Sequence, residues 1–185
     1  MRITGGALCR RTLKAPEGSG TRPTQDRVRE SMFAILAGRC EGSEVLDLFA
    51  GSGSLGFEAI SRGAISCVFV ESSRKAASII ETNAASLGVK GMTRVINEDA
   101  AREQCGWKTY GPFDIVFMDP PYASDKYEGL LAALSENNLV KPMGIVVVER
   151  AKIKQLAEEY GGLKLRRSEK YGATFVDFYQ NIAED

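Results

Sequence analysis

The stretch VLDLFAGSGSLGFEA, residues 45–59, runs from an apolar segment through a glycine-rich turn into a helix-like pattern. Gly51-x-Gly53-x-x-Gly56 therefore sits after a predicted strand and before a predicted helix, the context that a G-x-G-x-x-G nucleotide fingerprint requires. Glycines let a ligand approach the backbone, and a helix start offers unpaired N–H groups. The turn alone leaves nicotinamide, flavin and S-adenosylmethionine open as ligands, and a tight strand–helix turn that binds nothing is the structural alternative. It does decide the fold class, because such a strand–turn–helix unit belongs to a parallel β/α sheet.

The pattern continues outward from this unit. Short Val/Ile/Phe-rich runs at 44–49, 66–71, 93–97, 113–118 and 144–149 read as strands buried on both faces. Helices are expected near 53–62, 73–87, 126–136 and 151–159, and segment 98–112 as one helical turn followed by a loop. Upstream, TRPTQDRVRESMFAIL (21–36) reads as a helix with Thr24 as N-cap and Val28, Met32, Ile35 and Leu36 at helical spacing. Residues 1–20 read as a basic β-hairpin turning at Gly5-Gly6, ahead of a main domain at 21–185. Segments 163–170 and 173–180 read as strands joined tightly at Tyr171-Gly172. Two antiparallel strands closing a parallel sheet are unusual for a dinucleotide-binding fold.

Composition removes several chemistries. The 185 residues contain no histidine, which excludes Ser-His-Asp triads, H-E-x-x-H zinc sites and imidazole bases. Cys9, Cys40, Cys67 and Cys105 are scattered without a C-x-x-C pair, so neither a metal site nor a disulfide framework is expected. No apolar run reaches ~18 residues, so no membrane span is expected. With no secretory-type leader, a cytoplasmic protein is the expectation. Net charge is zero, yet residues 1–29 carry seven Lys/Arg against Glu17 and Asp26, a net of +5. This arm is a candidate phosphate-binding element, the alternative being a solvated tail.

Three acids follow the strands. Asp47 lies near the end of the first, where the ligand crevice of an open α/β sheet forms. A carboxylate there repels a pyrophosphate and can meet an ammonium, which leans toward S-adenosylmethionine. Glu71 ends the second strand and can accept from ribose hydroxyls, a property common to NAD and S-adenosylmethionine. Asp99, after the third, can accept from an adenine amino group or cap the next turn.

The fourth strand ends in FMDPPY, residues 117–122. Pro120 and Pro121 remove two backbone donors and stiffen a corner that displays carbonyl oxygens, the Asp119 carboxylate and the Tyr122 ring. An exocyclic amine on a base is a poor nucleophile because its lone pair is delocalised into the ring. Two acceptors, Asp119 and the Pro120 carbonyl, can orient the nitrogen and stabilise charge that develops during methyl transfer. Stacking of Tyr122 on the base is worth roughly 1–3 kcal/mol at comparable sites. A strand-ending turn with Tyr122 packed as core is the alternative.

TRPTQDRVRESMFAIL, VLDLFAGSGSLGFEAISRGA, FDIVFMDPPY and KYGATFVDFY together resemble the RsmD family of class I S-adenosylmethionine-dependent methyltransferases, over essentially the whole chain. The resemblance implies a Rossmann-like fold: a mostly parallel seven-stranded sheet with helices on both faces and a C-terminal antiparallel strand. It implies methylation of the 2-amino group of one guanine in bacterial 16S ribosomal RNA, within an assembling small subunit, by a monomer. Implied cofactor contacts are Asp47, Phe49, Ala50, Gly51 and Gly53, with Glu71, Ser72, Asp99 and Ala100 further along. Asp119, Pro120, Pro121 and Tyr122 form the implied catalytic corner. Arg10, Arg11, Arg22, Thr24 and Tyr171, with Tyr122, are implied to meet the RNA. Ala34 stands where many relatives have asparagine, and Ser72 is smaller than the apolar residue that packs on adenine in this class. Competing readings are an adenine-N6 or cytosine-N4 methyltransferase, a nicotinamide-dependent oxidoreductase, and a catalytically idle RNA-binding factor.

Overall fold

The computed structural model describes residues 1–15, 23–102, 105–120 and 126–182. In chain order the elements are α1 (Pro23–Ile35), β1 (Glu44–Leu48), α2 (Ser54–Ser61), β2 (Ser66–Val70), α3 (Arg74–Leu87), β3 (Thr93–Ile96), β4 (Phe113–Met118), α4 (Tyr127–Glu136), β5 (Val140–Ala151), β6 (Glu159–Tyr160), β7 (Leu163–Tyr171) and β8 (Thr174–Asn181). The strands form one sheet in the order β3-β2-β1-β4-β5-β8-β7-β6. β1 to β5 are mutually parallel. β8 inserts antiparallel to both β5 and β7, and the two-residue β6 adds an eighth strand where seven are expected.

Strand alternation divides the interior in two. On one face Val45, Phe69, Ile115, Phe117, Val147 and Phe178 pack against α1, α2 and α3. On the other Leu46, Leu48, Val116, Met118, Val148 and Tyr179 pack against α4 and the fully buried Trp107. All five predicted core strands are present. β5 extends further at both ends than its apolar run, 144–149, indicates.

Three local expectations need correction. α1 begins at Pro23 and not after Thr24 as its cap; proline suits a first helical position, where its missing N–H has no partner to lose. Residues 151–159 are not helical. β5 stays paired with β8 as far as Ala151–Thr174, and the Lys152 N–H then bonds Ala173 O, so this backbone belongs to the sheet edge. Ile153, 92% exposed, supplies no buried face for a helix.

The N-terminal pairing is also different. Ile3 and Arg10–Arg11 exchange backbone bonds and Leu13 N–H bonds Met1 O, but the turn is not at Gly5-Gly6. The intervening loop instead wraps the C-terminal end of α2, where Ala7 N–H reaches Ser61 O at 2.7 Å. Glu58, fully buried, accepts from Thr4 N, Thr4 Oγ1, Gly5 N and Arg62 Nε at 2.8–2.9 Å. Ile3 and Leu13 join the core cluster of the first face.

Gly6 has a left-handed φ of 77°, and a Cβ on it would fall onto the Ser61 carbonyl. Gly38, with φ 75°, has nothing within 4 Å of such a Cβ. Gly6→Ala is therefore expected to destabilise by about 3 kcal/mol or more and Gly38→Ala by about 1 kcal/mol, read as urea midpoints at equal m. Equal losses would mean that the loop does not clamp α2.

Candidate active site

The cleft forms at the carboxyl ends of the parallel strands, where the chain leaves β1 through a strained turn. Phe49, Gly51 and Gly53 all have left-handed φ, at 61°, 57° and 79°. For Phe49 this conformation is costly, as expected of a backbone held by its surroundings. The three glycines of the fingerprint do different jobs. A Cβ on Gly53 would meet Phe57 Cε2 at 2.6 Å, and one on Gly56 would strike Phe69 and Cys67. Those two glycines let α2 sit close to the sheet. Gly51 alone has open space around it, so it is the one at which a ligand can approach the backbone.

Alternation also aims the acids. Asp47, Asp119 and Glu149 fall on the same face as Val45, Phe117 and Val147, on the adjacent strands β1, β4 and β5. They line one cleft of about 400 Å³ with Phe49, Ala50, Gly51 and Ser52 on one side. Val28, Arg29 and Met32 of α1 line it too, as do Tyr171 to Thr174 at the β7–β8 turn. Tyr171 is held by a hydroxyl–hydroxyl hydrogen bond with Ser31 of α1.

Asp47 is 2% exposed, and its Oδ2 accepts from the Gly56 N–H in the first turn of α2 at 2.9 Å. Burial pushes its pKa up to about 8; the Gly56 bond opposes this and the Glu71 charge adds to it. Asp119 lines the cleft and is exposed to solvent. Desolvation by the cleft walls, and then the charges of Glu149 and Asp47, raise its pKa above the usual carboxylate range.

Glu71 accepts from Gly51 N at 2.8 Å and from Ser73 N at 2.7 Å, tying the glycine turn to the start of α3. Asn97 donates to the carbonyls of Glu71 and Ser72. Asp99 caps its own turn through Ala101 N at 3.0 Å and pairs with Lys126 at 2.8 Å; chiefly the Lys126 bond lowers its pKa. Ala100 lines a neighbouring cavity with Lys126 and Lys108. The expected cofactor residues thus follow the sheet edge in strand order, from Asp99 past Glu71 and Gly51 to Asp47.

The expected RNA residues do not gather in one place. Arg11 donates to Ser86 O near the end of α3, and the Arg10 loop lies against the end of α2. Both helices start at the cleft edge, so the Arg10 loop lies roughly one length of α2 away, about 12 Å at 1.5 Å per residue, and Arg11 farther, near the far end of α3. Thr24 lies in the first turn of α1, the helix whose Val28 and Met32 face the cleft. Arg22, Pro121 and Tyr122 lie outside the described residues. Pro120 is buried.

Sequence reasoning missed Glu149 and Arg29. Glu149 ends an apolar strand just as Asp119 does, so the rule that picked the one was available for the other. Arg29 reads as one more charge of the basic arm. In the fold it is 4% exposed, donates to Arg2 O at 2.6 Å and Asp26 at 3.1 Å, and approaches Glu58 at 3.5 Å.

Among the described residues the cleft has three carboxylates and one arginine, Arg29, which already has anionic partners; this favours a cation and disfavours a pyrophosphate. This fits S-adenosylmethionine, which carries a sulfonium and an ammonium. Residues 1–180 match the family described as conserved hypothetical protein 95. The chain is 34% identical over 184 residues to the Escherichia coli ribosomal RNA small subunit methyltransferase D, spanning all of this chain and 91% of that protein.

The chain belongs to the RsmD family.

Another family relative, Bacillus subtilis YlbH, is 38% identical over 181 residues, covering 97% of this chain and 98% of that one. The solved structure of Escherichia coli yhhF matches with a TM-score of 0.84 at 33% identity, over 100% of this chain and 99% of that one. As an RsmD-family protein the chain is a methyltransferase that uses S-adenosylmethionine. No helix among the described residues is long and apolar enough to cross a membrane.

Asp47 has a folded-state pKa above its unfolded value near 3.8, so its contribution is fully present below about pH 4 and lost as pH rises through about 8. Asp47→Asn keeps an acceptor for Gly56 N–H and removes the buried charge. The variant is expected to gain about 1–3 kcal/mol over the parent between pH 4 and pH 8, measured by urea unfolding at both pH values. A difference independent of pH would show that Asp47 stays ionised throughout.

Proposed function

We propose that the protein transfers a methyl group to the 2-amino group of a guanine in small-subunit ribosomal RNA. The observation that carries this reading is that Asp119 opens into the same cleft as Gly51 and Asp47. The names of the family's curated members supply the class of RNA, and the substrate would be RNA within an assembling subunit. We take the protein to act as a monomer in the cytoplasm.

S-adenosylmethionine, when bound, supplies an electrophilic methyl group on a sulfonium sulfur. Gly51 and Asp47 would hold its amino-acid part, Phe49 and Ala50 with Gly53 would shape the turn beneath it, and Glu71 would take the ribose hydroxyls. Ser72, Asp99 and Ala100 would border the adenine, with Lys126 as the partner that Asp99 already has. Asp119 and the Pro120 carbonyl would grip the two N–H bonds of the target amine. Pro121 would keep that corner stiff and Tyr122 would stack on the base. This fixed pair of acceptors orients the nitrogen and stabilises its growing positive charge without rearranging first.

Arg22, Thr24 and Tyr171 would meet RNA next to the target base. Arg10 and Arg11, a helix length away, would meet phosphates remote from it.

The decisive experiment incubates the protein with tritiated S-adenosylmethionine and ribosomal RNA, free or in subunit particles, or with duplex DNA, and identifies the labelled nucleoside. Label in N2-methylguanosine is expected. Label in N6-methyladenine or N4-methylcytosine would overturn the guanine assignment. Asp119→Ala is expected to lower turnover by at least about 10³-fold while cofactor affinity changes less than about threefold. Parallel losses in both would make Asp119 a cofactor ligand.

Charge reversal at Arg10 and Arg11 is expected to weaken RNA binding and flatten its salt dependence, with single-turnover rates at saturating RNA unchanged. A fall in that rate would put the arm at the reacting base.

A further inference from the structure

The turn that leaves β1 carries left-handed backbone at Phe49, Gly51 and Gly53, and such strain persists only where neighbouring groups over-determine it. β2 and the residue that follows it supply part of the hold: Ala50 N–H donates to Val70 O and Gly51 N–H to the Glu71 carboxylate. A further hold comes from α3, through one side chain. Asn83 stands on the buried face of that helix with Ala76, Ala77, Ile80, Ala84 and Leu87, and is 1% exposed.

An amide on an apolar helix face costs stability unless its groups are paired. Those of Asn83 are. Its Nδ2 donates to Ser52 O at 3.1 Å and to Lys14 O at 3.0 Å, and its Oδ1 accepts from the Lys14 N–H at 2.9 Å. The amide fits only this way round, because the reverse would set its NH2 against the Lys14 N–H. Ser52 lines the cleft beside Gly51, so Asn83 joins the glycine turn to the N-terminal segment, residues 1–14. A second route connects the same two parts. Ser52 Oγ donates to the Met1 sulfur at 3.6 Å, and Met1 O accepts from the N–H of Leu13, the covalent neighbour of Lys14. Turn, α3 and N-terminal segment thus form a closed circuit of hydrogen bonds.

From this circuit we infer that Asn83 is a positioning residue for S-adenosylmethionine, one that also links cofactor occupancy to the N-terminal segment. The inference rests on the reading above that seats the cofactor at Gly51. Asn83 does not itself line the cleft and acts through the Ser52 carbonyl. Because the same amide holds Ser52 and Lys14, ordering the turn and ordering the segment are one event. A cofactor that fixes the turn stiffens the segment, and by linkage whatever fixes the segment tightens the cofactor.

The test measures amide hydrogen exchange of the full chain with and without saturating S-adenosylmethionine. The Gly51 amide reports the cofactor's seat, Lys14 the bond to Asn83, and Leu13 the bond to Met1. Lys14 does not line the cleft, yet its exchange is expected to slow about tenfold when the cofactor binds. Slower exchange at Gly51 and Leu13 with Lys14 unchanged would overturn the role of Asn83 and leave Met1 as the link. Unchanged exchange at Gly51 would instead defeat the placement of the cofactor, and the inference with it.

Asn83→Ala unties the turn and the segment together. Calorimetric titration of the folded variant with S-adenosylmethionine is expected to give a Kd raised about tenfold. A Kd within about twofold of the parent's would overturn the positioning role, whatever stability the variant has lost. Should Asn83→Ala fail to fold, the exchange measurement on the unaltered chain decides alone. Neither measurement needs RNA, so a protein that methylates no guanine would defeat the proposed substrate and leave this link standing.

Discussion

One hydrogen bond connects the sheet to everything above it: the Gly56 N–H, in the first turn of α2, donates to the buried carboxylate of Asp47 on β1. It can form only if α2 lies nearly in contact with the strands, and Gly53 and Gly56 permit that by presenting no side chain to Phe57 and Phe69. The close approach in turn forces left-handed backbone at Phe49, Gly51 and Gly53. The turn that results leaves open space at Gly51 and lets Glu71 reach its N–H from the neighbouring strand. The open glycine turn, the Glu71 bond to it and the start of the helix are thus consequences of a single short distance between β1 and α2.

Among the described residues, two buried carboxylates on this side of the sheet differ in how well they are satisfied. Glu58 accepts four hydrogen bonds and has Arg62 and Arg29 as counter-ions, so it is a structural joint. Asp47 has one backbone donor among the bonds formed here and borders a cavity. A buried acid with so few donors favours protonation or a cationic ligand. That contrast separates an acid that holds the fold from one that faces a cavity, although both sit within one strand–turn–helix unit.

Most of the parallel sheet was legible in the sequence because each of its strands is a short, doubly buried run closed by an acid or a glycine. The ends of β1, β2 and β4 located Asp47, Glu71 and Asp119 at one edge. Residues 151–159 misled because their composition suits a helix, while the pairing of β5 with β8 draws the backbone into the sheet. The N-terminal arm was legible as charge and not as structure. Thr4, Gly5 and Ala7 use their backbones to close the end of α2, and nothing local in MRITGG announces Glu58 as a partner. Glu149 went unread because it belongs to β5, which the sequence pattern presented as plain core.

The same clamp has a bearing on how the chain is made. Residues 1–14 leave the ribosome before their partners: Thr4 and Gly5 wait for Glu58, Ala7 and Leu8 for Ser61, Lys14 for Asn83, and Arg11 for Ser86. This segment can therefore dock only after β1, α2 and most of α3 have emerged. Its docking joins partners up to 75 positions apart in sequence, so it waits on long-range contacts and not on local ones.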